Sequence, residues 1–177
     1  TGTDHHDGTK HRIQRKVQVI PTTYQHIAPC IKNADVVIFN FGNIDDIDPE
    51  AIIQTKKNTK AFVYVDIHRK PFGADKDGYM YVRGWKGWGK YLSHADVVQM
   101  DKKECEALFR RPFDNIKEII QAVKQLLDVG PREVFITLGD QGVLVGDRDK
   151  DSKQFRYLHF PAVSCNVVDT TGSGDAF

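Results

Sequence analysis

The sequence has few cysteines, almost no excess charge and no long apolar run, and each shortage closes a class of function. Its three cysteines, Cys30, Cys105 and Cys165, are odd in number and lack CxxC spacing. That argues against a disulfide framework or a zinc knuckle, and leaves packed thiols in a reducing cytoplasm as the expectation. Twenty-five Lys and Arg against 24 Asp and Glu leave a net charge of +1. Proteins that grip nucleic-acid backbones carry an uncompensated basic surface, so no nucleic-acid partner is expected. No apolar run approaches the ~20 residues of a membrane-spanning helix, so no membrane partner is expected either. The first residues, TGTDHHDGTKHR, lack both a starting Met and the apolar stretch of a signal peptide. His5, His6 and His11 have no supporting Cys or carboxylate spacing, and read as part of a mobile terminal segment rather than a metal site. Asp7-Gly8 is a hairpin signal that fits a lid strand pair.

What remains is the balance of one soluble globular domain: 40% hydrophobic and 28% charged residues over 177 positions. The apolar pattern alternates between short β-rich runs and longer helical ones. Val36 to Phe39, Ala61 to Val65, Ala95 to Gln99 and Glu133 to Leu138 read as strands. Pro49 to Lys56 reads as a helix with Asp48 as its cap, and Lys102 to Phe109 as a helix capped by Asp101. From Asn115 to Leu127, apolar residues at 116, 119, 120, 123, 126 and 127 have the spacing of an amphipathic helix, stopped by Gly130-Pro131. Gly142 to Val145 and Phe155 to Phe160 read as an antiparallel pair. Pro71 to Lys90 reads as a long loop anchored by Trp85 and Trp88. No internal repeat, low-complexity segment or linker interrupts the chain. Such alternation predicts an α/β fold, a mostly parallel sheet with helices on both faces and ligands beyond the carboxyl ends of the strands.

The most informative stretch is Asp169-Thr170-Thr171-Gly172-Ser173-Gly174-Asp175-Ala176-Phe177. Glycines at 172 and 174 let backbone N–H groups converge into an anion-binding nest, and a helix starting near Asp175 would add its dipole. A carboxylate beside such a nest is placed to take a proton from a hydroxyl while the nest holds a transferring phosphoryl group. A dinucleotide fingerprint G-x-G-x-x-G fits less well, because Phe177 occupies the third glycine position.

DTTGSGDAF closely resembles the C-terminal signature of the ribokinase-like, or PfkB, carbohydrate kinases. The resemblance implies that Asp175 is the catalytic base and that Gly172, Ser173 and Gly174 form the anion hole. It further implies that Asp169 and Thr171 help to bind a monovalent cation, potassium being the candidate. Thr137-Leu138-Gly139-Asp140-Gln141-Gly142, ~30 residues earlier, is similar to the family's T-x-G-x-x-G segment, which makes Thr137, Gly139 and Gly142 nucleotide-binding positions; alone it reads equally as a hairpin turn. Asp101-Lys102-Lys103-Glu104 resembles N-x-x-E, in which the Glu organises magnesium through water; Asp101 departs from the Asn of that pattern. Asp66-Ile67-His68-Arg69-Lys70 resembles D-x-N-x-R with His68 and Lys70 as departures, and no chemistry is assigned to His68.

The implied fold is a ribokinase-like three-layer sandwich, incomplete in this chain. Residues 1–177 form a partial kinase domain, with 1–20 as a lid or edge segment and 33–177 as the nucleotide-binding core. The implied activity is ATP- and magnesium-dependent phosphoryl transfer to a hydroxyl of a small sugar or a related substrate such as a nucleoside. A non-catalytic nucleotide-binding or regulatory relative is the alternative. Sugar-holding residues are expected upstream of Thr1 and adenine-covering helices after Phe177. A sheet lacking its outer strands is expected to expose apolar surface and to invite a partner chain, a homodimer being the candidate.

Overall fold

Runs of five residues with every second side chain apolar fold into strands, and longer runs with three-and-four spacing fold into the helices between them. In the computed structural model, residues 20–43, 45–149, 152 and 154–164 are described. They run α1 (Tyr24–Ile31), β1 (Val36–Asn40), α2 (Glu50–Asn58), β2 (Phe62–Asp66), β3 (Phe72–Ala74), β4 (Met80–Val82) and α3 (Trp88–Leu92). There follow β5 (Val97–Asp101), α4 (Lys102–Phe109), α5 (Ile116–Val129), β6 (Glu133–Thr137), β7 (Val143–Arg148) and β8 (Phe155–Phe160). Six strands form one sheet in the order β1-β2-β5-β6-β7-β8, and β3 pairs only with β4. β1, β2, β5 and β6 are parallel, β7 is antiparallel to β6, and β8 is antiparallel to β7. The mostly parallel α/β sheet expected from the sequence is therefore borne out.

The helices differ from expectation in one respect. Among the described residues their buried side chains share one core with Val37, Phe39, Val63, Val65, Val98, Met100, Val134, Ile136 and Leu144, which all lie on one face of the sheet. The reason is topological. The parallel strands advance across the sheet in one direction, and right-handed crossovers then deliver every connecting helix to the same face. The two faces of a three-layer fold are not filled together by such a run.

Local signals account for most boundaries. Asn115 caps α5 by accepting from the Glu118 N–H, and Gly130 ends it at φ 155°. Asp48 acts one position earlier than read: its Oδ1 accepts from the Glu50 N–H at 3.0 Å, and Pro49 is the capping residue. The stretch read as a long loop holds the β3–β4 hairpin and α3. Trp85 anchors it, edge-on to Phe41 and stacked on Tyr91 with centroids 5.3 and 5.6 Å away. Lys70 is buried beside this cluster, 5.2 Å from the Phe41 ring centroid, with its Nζ 3.7 Å from Asp45. Cys105 is buried and burial pushes its thiol pKa up, which makes it inert; Cys30, expected to be packed, is exposed. No described helix is long and apolar enough to cross a membrane.

Candidate functional site

The carboxyl ends of the parallel strands gather the polar residues. Asn40 is in register with Asp66 on β1 and β2, and Asp101 with Thr137 on β5 and β6. β5 extends past β2, where Asp66 faces Gln99, so Asp101 projects farther along the edge. Two of the stretches singled out from the sequence, Asp101–Glu104 and Thr137–Gly142, thus start side by side on neighbouring strands.

Asp101 is the N-cap of α4. Its Oδ1 accepts from the Glu104 N–H at 2.7 Å, and Glu104 Oε2 accepts in return from the Asp101 N–H at 2.7 Å. This capping box fixes the Glu104 carboxylate at the helix N-terminus with 8% of the residue exposed. Burial pushes the Glu104 pKa up from 4.5 to about 9; the charges of Asp101 and Asp66 add to the shift, while the Asp101 backbone N–H and Arg69 oppose it. The other oxygen, Oε1, lies 3.6 Å from Nδ1 of His68, an ion-pair contact when the imidazole is protonated. His68 is held at φ 40°, with its N–H donating to Asp66 Oδ1 at 3.2 Å. Sequence reading alone assigns no chemistry to His68. Its contact arises from a left-handed turn after β2, which only a D-x-N-x-R comparison hinted at, since Asn tolerates that conformation.

The Glu104 pKa shift comes mainly from burial, which Arg69 offsets only in part. Glu104, Asp66 and Asp101 are hard oxygen donors of the kind magnesium takes. Among the described residues no group of three or more His, Cys, Asp or Glu is arranged to hold a metal directly. Such donors fit a magnesium ion held through its water shell.

Thr137 ends β6, and the chain turns through a 3-10 segment at Gly139–Gln141. The turn is closed by Leu138 N–H to Gly142 O at 2.7 Å and Gly142 N–H to Gly139 O at 3.0 Å. Gly139 has φ 62°, and among the described residues a Cβ there would meet nothing within 4 Å. Gly142 has φ 92°, and a Cβ there would overlap the Phe160 carbonyl and come within 2.6 Å of the Ala162 nitrogen. The two glycines thus do different things. Gly142 admits the backbone leaving β8, whereas at Gly139 no described neighbour would meet a Cβ. Asp169, Thr171, Gly172, Ser173, Gly174 and Asp175 lie outside the described residues, as does the 1–19 portion of the expected lid.

These features define an α/β domain with a carboxylate-bearing helix N-terminus and a glycine turn side by side on its ligand-facing edge. The chain belongs to the pfkB family of carbohydrate kinases, whose family model matches residues 25–177. It is 34% identical over 87 residues to a deoxyribokinase of Salmonella typhi, an alignment covering 49% of this chain and 26% of that protein. It is 27% identical over 101 residues to an ATP-dependent 6-phosphofructokinase of Thermoanaerobacterium thermosaccharolyticum, covering 57% of this chain and 26% of the relative. The alignments thus span about a quarter of the length of these curated relatives. Among solved structures, a pyrophosphate-dependent kinase in the ribokinase family superposes with TM-score 0.66 at 18% identity, over 94% of this chain and 52% of the other. Ribokinase from Thermotoga maritima superposes with TM-score 0.58 at 22% identity, over 83% of this chain and 41% of the other. The structural likeness carries the ribokinase-like fold, and the family match carries the membership.

Proposed function

We propose that this chain is the nucleotide-facing part of a kinase that moves a phosphoryl group from ATP to a hydroxyl of a small sugar or a related alcohol such as a nucleoside. The observation that carries the reading is the buried Glu104 carboxylate, fixed by its capping box at the sheet edge beside the Thr137–Gly142 turn. Deoxyribokinase, ribokinase and phosphofructokinase among the relatives support a sugar as acceptor. In this reading Thr137 and Gly139 receive the nucleotide phosphates at the open turn, and Gly142 holds the turn's shape. Glu104 would accept hydrogen bonds from the water shell of a magnesium ion, which would supply positive charge at the phosphates.

Asp175 takes the proton from the acceptor hydroxyl. The freed oxygen forms the new bond to the γ-phosphorus as the bond to the ADP oxygen breaks, and ADP leaves with that electron pair. Backbone N–H groups of Gly172, Ser173 and Gly174 stabilise the charge on the transferring group. Asp169 and Thr171 would hold a potassium ion. A second reading, a non-catalytic nucleotide-binding relative, is favoured by one observation: the charge of Asp101, where the family has Asn, pushes the Glu104 pKa further up.

The test is a coupled ADP-release assay of the whole protein carrying this chain, run against a panel of sugars and nucleosides. Substrate-dependent ADP formation that Asp175→Asn lowers by ~100-fold or more is expected, the usual scale for a lost general base. ATP binding without turnover on any member of the panel would support the second reading instead.

A further inference from the structure

We propose that the groove between α4 and the β3–β4 hairpin binds a small organic anion with an apolar body, beside the helix start that carries Glu104. The groove is a cavity of about 520 Å3 lined by Phe72, Val82, Lys103, Glu106, Ala107, Arg110, Arg111 and Pro112. That volume is within the ~300–1,000 Å3 range of small-ligand sites. Phe72 and Val82 are directly opposed on the hairpin. Lys103, Glu106, Ala107 and Arg110 follow one another at three, one and three residues, which puts them along one stripe of α4. The floor is therefore apolar, made by Phe72, Val82, Ala107 and Pro112, and the rim is cationic.

The charges on that rim are not equally committed. Glu106 Oε1 accepts from the Phe113 N–H at 2.9 Å and lies 3.6 Å from Lys102 Nζ, so it is already compensated. Arg111 pairs with Glu118 at 3.3 Å and lies over the Phe113 ring. Lys103 and Arg110 are exposed, and among the described residues neither pairs with a carboxylate. They sit two turns apart on the helix, ~10 Å along its axis, and long enough to converge on one anion over the groove. Arg110 also sits at φ 56° as the cap of α4, with its aliphatic stem against Gly84. Two uncommitted cations flanking an apolar floor select a ligand with both properties: an aromatic or branched body carrying a phosphate or carboxylate.

Phenyl phosphate is the smallest probe with both halves, and isothermal titration of the purified protein is the measurement. Saturable 1:1 binding is expected, with inorganic phosphate and phenol each at least ~10-fold weaker. Lys103→Ala combined with Arg110→Asn, which keeps a residue tolerant of the left-handed cap, should weaken phenyl phosphate at least ~10-fold. Val82→Asp should weaken it independently by placing a carboxylate on the floor, while thermal melting of both variants stays within a few degrees of the parent. The proposal is overturned by absence of saturation up to ~10 mM, by a cation-depleted variant that binds as before, or by inorganic phosphate binding as tightly as the ester. None of these readouts depends on kinase turnover, so the assay of the proposed reaction can fail without touching this one.

Discussion

The two faces of the central sheet are made by the same strands and treated differently. On the helix-covered face Val63, Val65, Val98, Val134, Ile136 and Leu144 are fully buried. On the other face the outer strands expose Ile38 at 66% and Leu158 at 63%, while at its centre Gln99 is buried and accepts from the Tyr64 hydroxyl. The carboxyl edge of that second face carries Asp66, Asp101 and Thr137. Because strand side chains alternate, one set of residues can be spent on packing and the interleaved set on polar work without either constraining the other. A slip of one residue in register would exchange the sets, so the buried face fixes the position of the chemical one.

The comparison can be broken most directly by truncating one side chain on each face. Ile136→Ala on the covered face should cost ~2–5 kcal/mol, the range for emptying a packed site of that size. Ile38→Ala on the open face should stay within about 0.5 kcal/mol. Urea midpoints of the two variants decide it, and equal losses would mean that the second face is covered in solution. The glycines offer a sharper version. Gly142→Ala must move the backbone at Phe160 to Ala162 as well as strain its own φ, and should cost several kcal/mol. Gly139→Ala has open space, so it should cost only ~1–2 kcal/mol for the left-handed backbone while weakening ATP binding. If Gly139→Ala leaves ATP binding unchanged, the open turn is not where phosphates sit.

Legibility in the sequence followed the same division. The strands β1, β2, β5 and β6, the helices α4 and α5 and the β7–β8 pair were readable because each carries a periodic apolar set with a cap or turn residue at its end. α1 was not, since Pro29 lies inside its eight residues and removes one helical donor. The β3–β4 hairpin was hidden because three-residue strands are too short for a period to register. Helices on one face rather than two followed from strand order, which no local pattern contains. At the site, Asp101 and Glu104 were legible as a capped helix start, and the structure adds that the carboxylate is buried. The His68 contact was not legible, because it joins two segments 36 positions apart through a left-handed turn.

Glu104 ties the chemical edge to stability, and pH exposes the link. Its folded pKa of about 9 lies above its ordinary value of 4.5, so between those limits the folded protein keeps a proton that the unfolded chain releases. Stability without metal is therefore greatest below about pH 4.5 for this group and falls as pH rises toward about 9. Glu104→Gln can keep the capping box but cannot ionise, so it should flatten that slope. Its second effect should be a higher magnesium requirement for half-maximal rate, with the fold intact. Urea titrations at about pH 5, 7 and 9 would check the first part. A variant with the parent's slope would show that some other group sets it.

The smallest expected effect comes from Asp101→Asn, and it discriminates most finely between a structural cap and an electrostatic neighbour. Asn and Asp cap helices about equally well, so the bond to the Glu104 N–H and the start of α4 should survive and the melting temperature should barely move. What changes is charge. Asp101 is the second cause, after burial, of the raised Glu104 pKa. Removing it should bring that pKa down and let Glu104 carry its negative charge more readily at neutral pH. The magnesium concentration for half-maximal rate should shift by less than ~10-fold, the equivalent of about one pKa unit. Its direction weighs two opposing effects: an easier ionisation of Glu104 lowers the requirement, while the loss of one nearby carboxylate raises it. Because Glu104 is the buried group held by the capping box and Asp101 is less buried, the first should prevail and the requirement should fall. A requirement that rises instead would assign Asp101 itself to the metal's water shell, and would make the departure from Asn part of how this chain binds its ion.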